Sequence, residues 1–202
     1  MPTSVIAQES VDSTFTVFPW DMKSGKTLHV LINAEPSISS EKIDIVKNVI
    51  ISENYFIKDG KKFYEGWKGA LVEASIGGTK YILPTLEIVE SSSSSEIIII
   101  TLTTLKDNAH EGYTRLITNN HKIYSSNITI YNIDNLTNGD LEAIIKHELG
   151  HALGLGHSTM YGNLMHEKID TRSAFISECN VQAIRALYNG EILTQHFHKV
   201  ET

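Results

Sequence analysis

The chain has 202 residues, of which 41% are hydrophobic and 20% are charged, and its formal net charge is -7 with histidine neutral. This length suits one domain with a substantial hydrophobic core, and the composition is that of an ordinary globular protein. The acidic balance argues against nucleic acid or an anionic membrane as the main partner, and no apolar run approaches the ~20 residues that a membrane-spanning helix needs.

The amino-terminal quarter is predicted to contain a leader, a buried strand and a helix. Residues 1–14 are polar and unpatterned, which favours a flexible leader, and they contain no complete signal peptide. Residues 26–32, KTLHVLI, have the composition of a buried strand. Ser39 or Ser40 is the candidate N-cap of the helix that follows. Its apolar residues recur at helical spacing: Ile43, Val46, Val49 and Ile50.

The middle of the chain is predicted to be mostly strands. Phe63, Trp67 and Leu71 recur at steps of four, which predicts a short second helical piece. After a turn at Gly77 and Gly78, four strands follow, with a solvated serine-rich connector between the first two and a polar turn between the last two. The four predicted strands cover residues 86–89, 96–102, 113–118 and 127–133.

Two helices complete the predicted domain. Asp140 is the candidate N-cap of a helix over residues 141–153, and a last helix begins near residues 176–177 and ends at Gly190. Residues 191–202 are predicted to form a tail. The order of strand, helix, four strands and two helices predicts one α/β domain, or α+β by some schemes, over residues 15–190.

The segment HELGHALGLGH, residues 147–157, has the residue types and the spacing of a metal site. Residues four apart lie on one face of a helix, so His147 and His151 can bind one ion with two ring nitrogens. Glu148 then lies beside the ion, where a carboxylate can deprotonate a water. Histidines at this short spacing also occur as ordinary surface or core residues, so the pair alone leaves both interpretations open.

His157 supplies the third ligand in the metal-site interpretation. A helix that continued past His151 would put His157 on the wrong face and ~9 Å further along, so the chain must turn back. Gly154 lies in the gap and can adopt the positive φ that such a turn often needs. Three neutral imidazoles with one open position fit one Zn²⁺ ion best, although other divalent metals are compatible. The offsets of Gly154 and His157 favour the metal site over scattered histidines.

The longer segment HELGHALGLGHS, residues 147–158, resembles the signature of the metzincin zinc peptidases. With Ser158 directly after the third histidine, it resembles in particular the matrixin family, which includes the matrix metalloproteinases. The resemblance implies a methionine turn under the metal, and NLM at residues 163–165 makes Met165 the candidate. It also implies a mixed, mostly parallel five-stranded sheet with an antiparallel edge strand, a backing helix, an active-site helix and a C-terminal helix. A secreted or cell-surface location is a further implication.

The chain departs from the matrixin pattern at several positions. Cys179 and Asn180 stand where matrixins carry two aspartates, one of which receives the mature amino terminus, so the same docking is not expected. The loop before the edge strand lacks the full His/Asp set of the family's structural zinc and calcium sites, and His110 and His121 are expected to be solvated. We therefore expect one catalytic zinc ion, without structural zinc or calcium.

The residues and the resemblance together predict a zinc-dependent endopeptidase that hydrolyses extended protein or peptide substrates through a metal-activated water, with Glu148 as the base. An unpaired edge strand at residues 113–118 is expected to bind the substrate main chain. By resemblance, the side-chain pocket lies between the catalytic helix and residues 166–175 and accepts an apolar residue after the cleaved bond. The expected substrate-binding residues are Tyr113, Thr114, Arg115, Leu116, Ala143 and His166.

Two alternatives use the same site differently. The first is a zinc-containing module that binds peptides without cutting them, against which the intact Glu148 argues. The second is a latent protease whose residues 1–20 cover the cleft, with Asp12 or Asp21 in the open zinc position. In each case the partner is a protein or peptide, and we expect a monomer.

Overall fold

The computed structural model describes residues 14–22, 27–172 and 174–191. The predicted leader apart from Thr14, and the predicted tail apart from Glu191, lie outside the described residues. The strands are β1 (Thr14–Thr16), β2 (Thr27–Ala34), β3 (Tyr55–Lys58), β4 (Lys61–Tyr64), β5 (Thr85–Val89), β6 (Ile97–Leu102), β7 (Gly112–Asn119), β8 (Lys122–Ile130), β9 (Leu155–Ser158) and β10 (Ile176–Ser177). The helices are α1 (Ser40–Ile51), α2 (Trp67–Ser75), α3 (Asn138–Ala152) and α4 (Glu178–Asn189), with a short 3-10 helix at Ile133–Asn135.

A five-stranded sheet forms the centre of the domain, in the order β5-β2-β6-β8-β7. The first four of these strands run parallel, while β7 pairs antiparallel with β8 and forms one edge. The isoleucine run at residues 97–100 lies in the middle strand, as expected for a parallel strand that is covered on both faces. This topology confirms the predicted fold class. Of the helices in the described part of the chain, none is long and apolar enough to span a bilayer.

The edge strand β7 presents two different faces. Thr114 and Leu116 are half-buried, while Tyr113, Arg115 and Ile117 are exposed. Because side chains alternate across a strand, the first two residues face α3, which packs against β7, and the other three face solvent. The sheet edge that borders the active-site helix is therefore the one that the sequence predicted.

The active-site helix α3 begins three residues earlier than predicted, because Thr137 and not Asp140 is its N-cap. The Thr137 hydroxyl accepts a hydrogen bond from the Asp140 N–H at 3.1 Å and donates to the Asp140 carboxylate at 2.7 Å. Asp140 lies in the first turn, where the helix dipole favours a negative charge. Threonine and aspartate are both common N-cap residues. Here the Asp140 N–H donates to the Thr137 hydroxyl, so Thr137 is the N-cap.

Two buried tryptophans hold α3 in place, one at its middle and one at its carboxyl end. The Trp67 indole donates to the Lys146 carbonyl at 2.8 Å, and the Trp20 indole donates to the Ala152 carbonyl at 2.8 Å. Both ring systems are buried in the core. The indole N–H groups thereby satisfy their hydrogen-bonding requirement while the rings supply apolar contact area, and the position of α3 is fixed.

A second sheet of three strands, in the order β10-β4-β3, was not predicted from the sequence. β3 and β4 form a hairpin around Asp59 and Gly60, which both have positive φ, and Asp-Gly is a strong hairpin signal. The prediction that Phe63 belongs to the second helix was wrong, since Phe63 lies in β4 and α2 begins at Trp67. Phe63 instead stacks on Phe56, with ring centroids 5.6 Å apart.

Candidate metal centre

α3 and β9 bring His147, His151 and His157 together. One ring nitrogen of each residue lies within 4.8 Å of the other two, and Nε2 of His147 lies 2.9 Å from Nε2 of His151. The three imidazoles thus converge on one point. This donor set fits a zinc ion that keeps one coordination position open.

Main-chain carbonyls orient the two imidazoles on α3. Nδ1 of His147 lies 2.7 Å from the Leu164 carbonyl oxygen, and Nδ1 of His151 lies 2.9 Å from the Leu155 carbonyl oxygen. A carbonyl oxygen only accepts, so each Nδ1 carries the proton and each Nε2 keeps the lone pair that a metal needs. Burial lowers the pKa of His147 to about 4 and the pKa of His151 to about 3. Both rings are therefore neutral, the ligating form, near pH 7.

A turn at Gly154 returns the chain towards the two histidines of α3. The helix ends at Ala152, and Gly154 has a φ of 102°, in agreement with the predicted turn. The Gly154 N–H donates to the His151 carbonyl at 2.9 Å, and the Gly154 carbonyl accepts from the Val17 N–H at 2.7 Å. β9 follows directly and pairs with β1. The strand that carries His157 is therefore held by the hydrogen bonds of the preceding turn and by its pairing with β1.

Met165 is fully buried and packs against α3. A Cβ on Gly150 would overlap with the Met165 sulfur, so the glycine lets the thioether approach the helix between the two histidines. The Met165 N–H donates to Oδ1 of Asn163 at 2.8 Å, and the Met165 carbonyl accepts from the Ser158 N–H at 2.7 Å. The methionine turn is therefore tied to β9, the strand that carries His157.

Glu148 lies on α3 next to His147, and its side chain is buried. Its Oε2 accepts a hydrogen bond from the Thr114 hydroxyl on β7 at 2.6 Å. Burial raises the pKa of Glu148 to about 7, and the Thr114 hydrogen bond acts in the opposite direction. A cation held by the three histidines would also favour the ionised form. The site thus holds a carboxylate that is suited to exchange a proton near neutral pH.

An open cleft of about 590 Å³ leads to the histidines. The edge strand and the loop before it form one wall, α3 forms the floor, and residues after the third histidine form the opposite wall. Residues 109–114 and Leu116 line the first wall, Ile144 and Glu148 contribute to the floor, and Glu167, Ile169 and Thr171 line the opposite wall. A cleft of this size is typical of a binding site for part of a peptide.

Three of the six expected substrate-binding residues line this cleft: Tyr113, Thr114 and Leu116. Arg115 is exposed on the other face of β7. Ala143 is buried, and its neighbour Ile144 contributes to the cleft surface instead. His166 packs against the Tyr161 ring at a centroid distance of 5.6 Å. Arg115, Ala143 and His166 do not line the described cleft.

Several lining residues on both walls were not named from the sequence, although Glu167 and Ile169 fall within residues 166–175, the segment that the resemblance assigned to the pocket. His110 and Glu111 precede the edge strand, and Glu167 and Ile169 follow the methionine turn. His110, expected to be only solvated, is exposed and borders the cleft. These residues meet across the cleft through tertiary packing. The sequence signals for them are the position of His110 and Glu111 just before the predicted edge strand and the implied pocket segment at residues 166–175.

The mixed sheet, the active-site helix and the convergent histidines define a zinc metallopeptidase of the metzincin type. A model of the matrixin family (Peptidase_M10) matches residues 84–189, more than half of the chain. The chain belongs to the matrixin family, which confirms the predicted zinc metallopeptidase. No curated protein sequence gave a match. Among solved structures the chain is similar to high choriolytic enzyme 1, a hatching enzyme zinc-protease from the medaka Oryzias latipes, with 14% identity, a TM-score of 0.44, and coverage of 85% of this chain and 94% of that chain.

We expect Gly154→Ala to lower the free energy of unfolding by about 3 kcal/mol. A side chain at this positive φ costs ~1–2 kcal/mol, and overpacking adds ~1–3 kcal/mol because the new Cβ would overlap with the Phe18 carbonyl oxygen and lie 2.8 Å from Cδ2 of Leu187. Gly162→Ala is the matched control, since Gly162 has a φ of 84° with open space around the Cβ position. Urea unfolding measures both losses, and equal losses would contradict the tight packing at Gly154.

The metal-free protein is expected to lose stability as the pH falls from about 6.5 towards 4. The unfolded chain protonates His147 and His151 near the ordinary pKa of ~6.5, whereas in the fold burial lowers these pKa values to about 4 and about 3. At these two histidines the unfolded state therefore binds more protons in this window, at up to roughly 1.4 kcal/mol per pH unit for each. The raised pKa of Glu148, about 7, acts in the opposite direction and offsets the contribution of one histidine, so the net slope keeps its sign. Urea unfolding in the presence of a chelator measures the slope, which should flatten in His147→Gln. An unchanged slope in that variant would rule out this linkage.

Proposed function

We propose that this matrixin is an endopeptidase that cleaves extended protein chains bound along its cleft. In this proposal His147, His151 and His157 bind the zinc ion, and Glu148 is the catalytic base. The observation that carries the proposal is the convergence of three imidazole nitrogens beside a buried carboxylate at the base of an open cleft. A binding module without activity would have no need to keep a carboxylate in this buried position.

Each side chain of the site has a distinct task in the proposed reaction. When bound, a zinc ion supplies Lewis acidity, which lowers the pKa of a coordinating water towards ~7 and polarises a carbonyl oxygen. His147 and His151 present their Nε2 lone pairs because main-chain carbonyls hold the proton on Nδ1. Glu148 accepts a proton from the attacking water at a carboxylate oxygen and returns it to the amine that leaves. No serine or cysteine nucleophile is required.

The outer edge of β7 is the proposed binding site for the substrate main chain. Within the five-stranded sheet β7 pairs with β8 alone, and Gly112, Tyr113 and Thr114 of β7 line the cleft. An extended peptide can add to such an edge by main-chain hydrogen bonds. Because an added strand continues in both directions past Glu148, this binding mode favours cleavage within a chain over removal of terminal residues.

Apolar side chains near Glu148 support the proposed preference for an apolar residue after the cleaved bond. Ile144 on α3, Leu116 on β7 and Ile169 on the opposite wall all line the cleft. An apolar substrate side chain placed among them would remove its own surface and theirs from water. In this proposal Ile144, and not the expected Ala143, lines the pocket for that side chain.

The charges at the cleft indicate a second element of specificity. Glu111 and Glu167 are exposed on opposite walls, and the described lining residues include neither lysine nor arginine. Clefts lined by one sign of charge attract substrates of the opposite sign. We therefore propose that basic residues near the cleaved bond favour binding.

The proposed enzyme is a monomer that acts on proteins outside the cell. Matrixins are typically extracellular, and family membership is the support for a secreted or cell-surface location here. The substrates would then be extracellular proteins or peptides.

A second candidate function is a latent protease that is capped by its amino-terminal segment. β1 pairs antiparallel with β9, and Thr14 lies opposite Ser158, the residue after His157. The described chain therefore begins beside the strand that carries His157, and this position supports the candidate. Asp12, one of the two proposed fourth ligands, lies outside the described residues.

We expect the purified protein to cleave casein and a mixed peptide library, and we expect Glu148→Ala to lower the rate by roughly 10²–10⁴-fold because the proton acceptor is lost. Zinc content should be close to one ion per chain in both proteins, since Glu148 is not proposed as a ligand. Zinc in both proteins without cleavage by either would contradict the endopeptidase and favour the binding module or the capped form.

Deletion of residues 1–13 separates the last two outcomes, because it removes Asp12 and leaves β1 intact. Cleavage that appears only after the deletion would indicate the capped form, and continued inactivity would indicate the binding module. Asp21 is a weaker capping candidate than Asp12, since its carboxylate accepts a hydrogen bond from Lys122 Nζ at 3.1 Å. Asp21→Asn therefore serves as the control for Asp12→Asn.

The double variant Glu111→Gln and Glu167→Gln should lower kcat/KM for peptides with lysine or arginine near the cleaved bond by roughly three- to tenfold. Neutral peptides should be cleaved at an unchanged rate, and added salt should weaken the preference of the unmodified enzyme. Glu87→Gln, at an exposed position of β5 on the opposite sheet edge, is the control. An equal effect on basic and neutral peptides would exclude a charge-based preference.

A further inference from the structure

The edge strand β7 lies close to both carboxylate oxygens of Glu148. The Thr114 hydroxyl lies 2.6 Å from Oε2 and 3.1 Å from the main-chain carbonyl oxygen of Glu148. A Cβ on Gly112 would lie 2.8 Å from Oε1 and 2.6 Å from Cγ2 of Ile144. The strand thus binds one oxygen through Thr114 and leaves room for the other through Gly112.

The Thr114 hydroxyl has one proton to donate, and both nearby oxygens of Glu148 are acceptors. The shorter contact, to Oε2, falls in the range of a hydroxyl bound to an ionised carboxylate. The proton therefore points at Oε2, and the longer contact to the carbonyl contributes little.

The sheet holds Thr114 in place. Thr114 pairs with Ile128 of β8, and a β-branched side chain on a strand has few rotamers. The terminal torsion of a glutamate is otherwise broad, so a fixed donor at Oε2 selects one orientation of the carboxylate. Sites that are supported by paired strands are held more precisely than sites on loops.

We propose that Thr114 is a positioning residue that fixes Oε2 of Glu148 and so makes Oε1 the atom that exchanges the proton. This inference rests on the proposed peptidase function. The attacking water gives one proton to Oε1 as its oxygen bonds to the carbonyl carbon. The same proton passes from Oε1 to the amide nitrogen as the C–N bond breaks, and Thr114 keeps its own proton throughout.

The test compares three variants of the full chain with zinc bound. Thr114→Val keeps the shape of the side chain and removes the hydroxyl, while Thr114→Ser keeps the hydroxyl. Thr129→Val is the matched control, since Thr129 lies opposite Tyr113 on β8 and directly opposed side chains share one face of a sheet. That face points away from Glu148.

Thr114→Val should lower kcat roughly ten- to a hundredfold, the effect expected for a hydrogen bond to a charged group. KM, zinc content and the Kd of an uncleavable peptide analogue should stay unchanged, because the hydroxyl orients the base and does not bind substrate. Thr114→Ser should restore kcat to within about threefold of the unmodified enzyme, and Thr129→Val should match it.

A double-variant cycle shows whether Thr114 acts through Glu148. In the Glu148→Ala background, Thr114→Val should lower kcat no further, since the group that it positions is already absent. An unchanged kcat in Thr114→Val, an equal loss in Thr114→Ser, or a further loss in the double variant would each overturn the inference. Thr114→Ala replaces Thr114→Val if the latter does not fold.

The two proposals fail in different ways. An unmodified protein that binds zinc and cleaves no peptide, with or without residues 1–13, would overturn the peptidase function and this inference with it. An active enzyme whose kcat is insensitive to Thr114→Val would overturn only the role of Thr114.

Discussion

The site requires α3 to carry the buried His147 imidazole and Glu148 carboxylate together with the partly buried His151 imidazole, and most other features of the structure follow from this burial. A buried polar group costs free energy unless it is hydrogen-bonded. Main-chain carbonyls from the segments after α3 satisfy His147 and His151, and Thr114 on the edge strand satisfies Glu148. The elements that surround the helix therefore belong to the site as much as the helix does, because they fix the tautomers and the orientation on which the chemistry depends.

The same burial requires the surrounding segments to pack closely against the site, and at three positions a glycine makes this close packing possible. Gly150 lets Met165 pack against the helix, Gly112 lets the edge strand pass Glu148, and Gly154 lets the chain turn back against the main chain of residues 17–18, just after β1. In each case a Cβ would meet a neighbouring atom at less than van der Waals distance. The dense packing of protein interiors leaves little room for such an atom to move, so these glycines determine the shape of the site.

Local periodicity predicted most of the strands and helices and the metal ligands, because those features depend on neighbouring residues in the chain, whereas the sheet topology was implied by the resemblance to the metzincins. His147 and His151 share a helix face through their spacing alone, and Gly154 lies in the same short segment. The β3–β4 hairpin was missed because Phe63 lies four residues before Trp67 and so fits a helical step as well as a strand. Individual lining residues such as His110 and Glu167 were missed for a different reason: they lie on loops that the packed core brings together, and no local pattern encodes that distance.

The buried Asn180 shows how a departure from the family pattern is explained by its surroundings. Its Oδ1 accepts from the Ser177 N–H at 2.9 Å, and its Nδ2 donates to Oδ1 of Asn163 at 3.1 Å. The same Asn163 oxygen accepts from the Met165 N–H at 2.8 Å. An ionised aspartate at position 180 could only accept, so it would face the Asn163 oxygen without a proton between them. Rotating the Asn163 amide would offer a donor to the aspartate but would deprive the Met165 N–H of its acceptor. Asn163 and Asn180 are therefore a matched pair, and the amide at position 180 is what this form of the methionine turn requires.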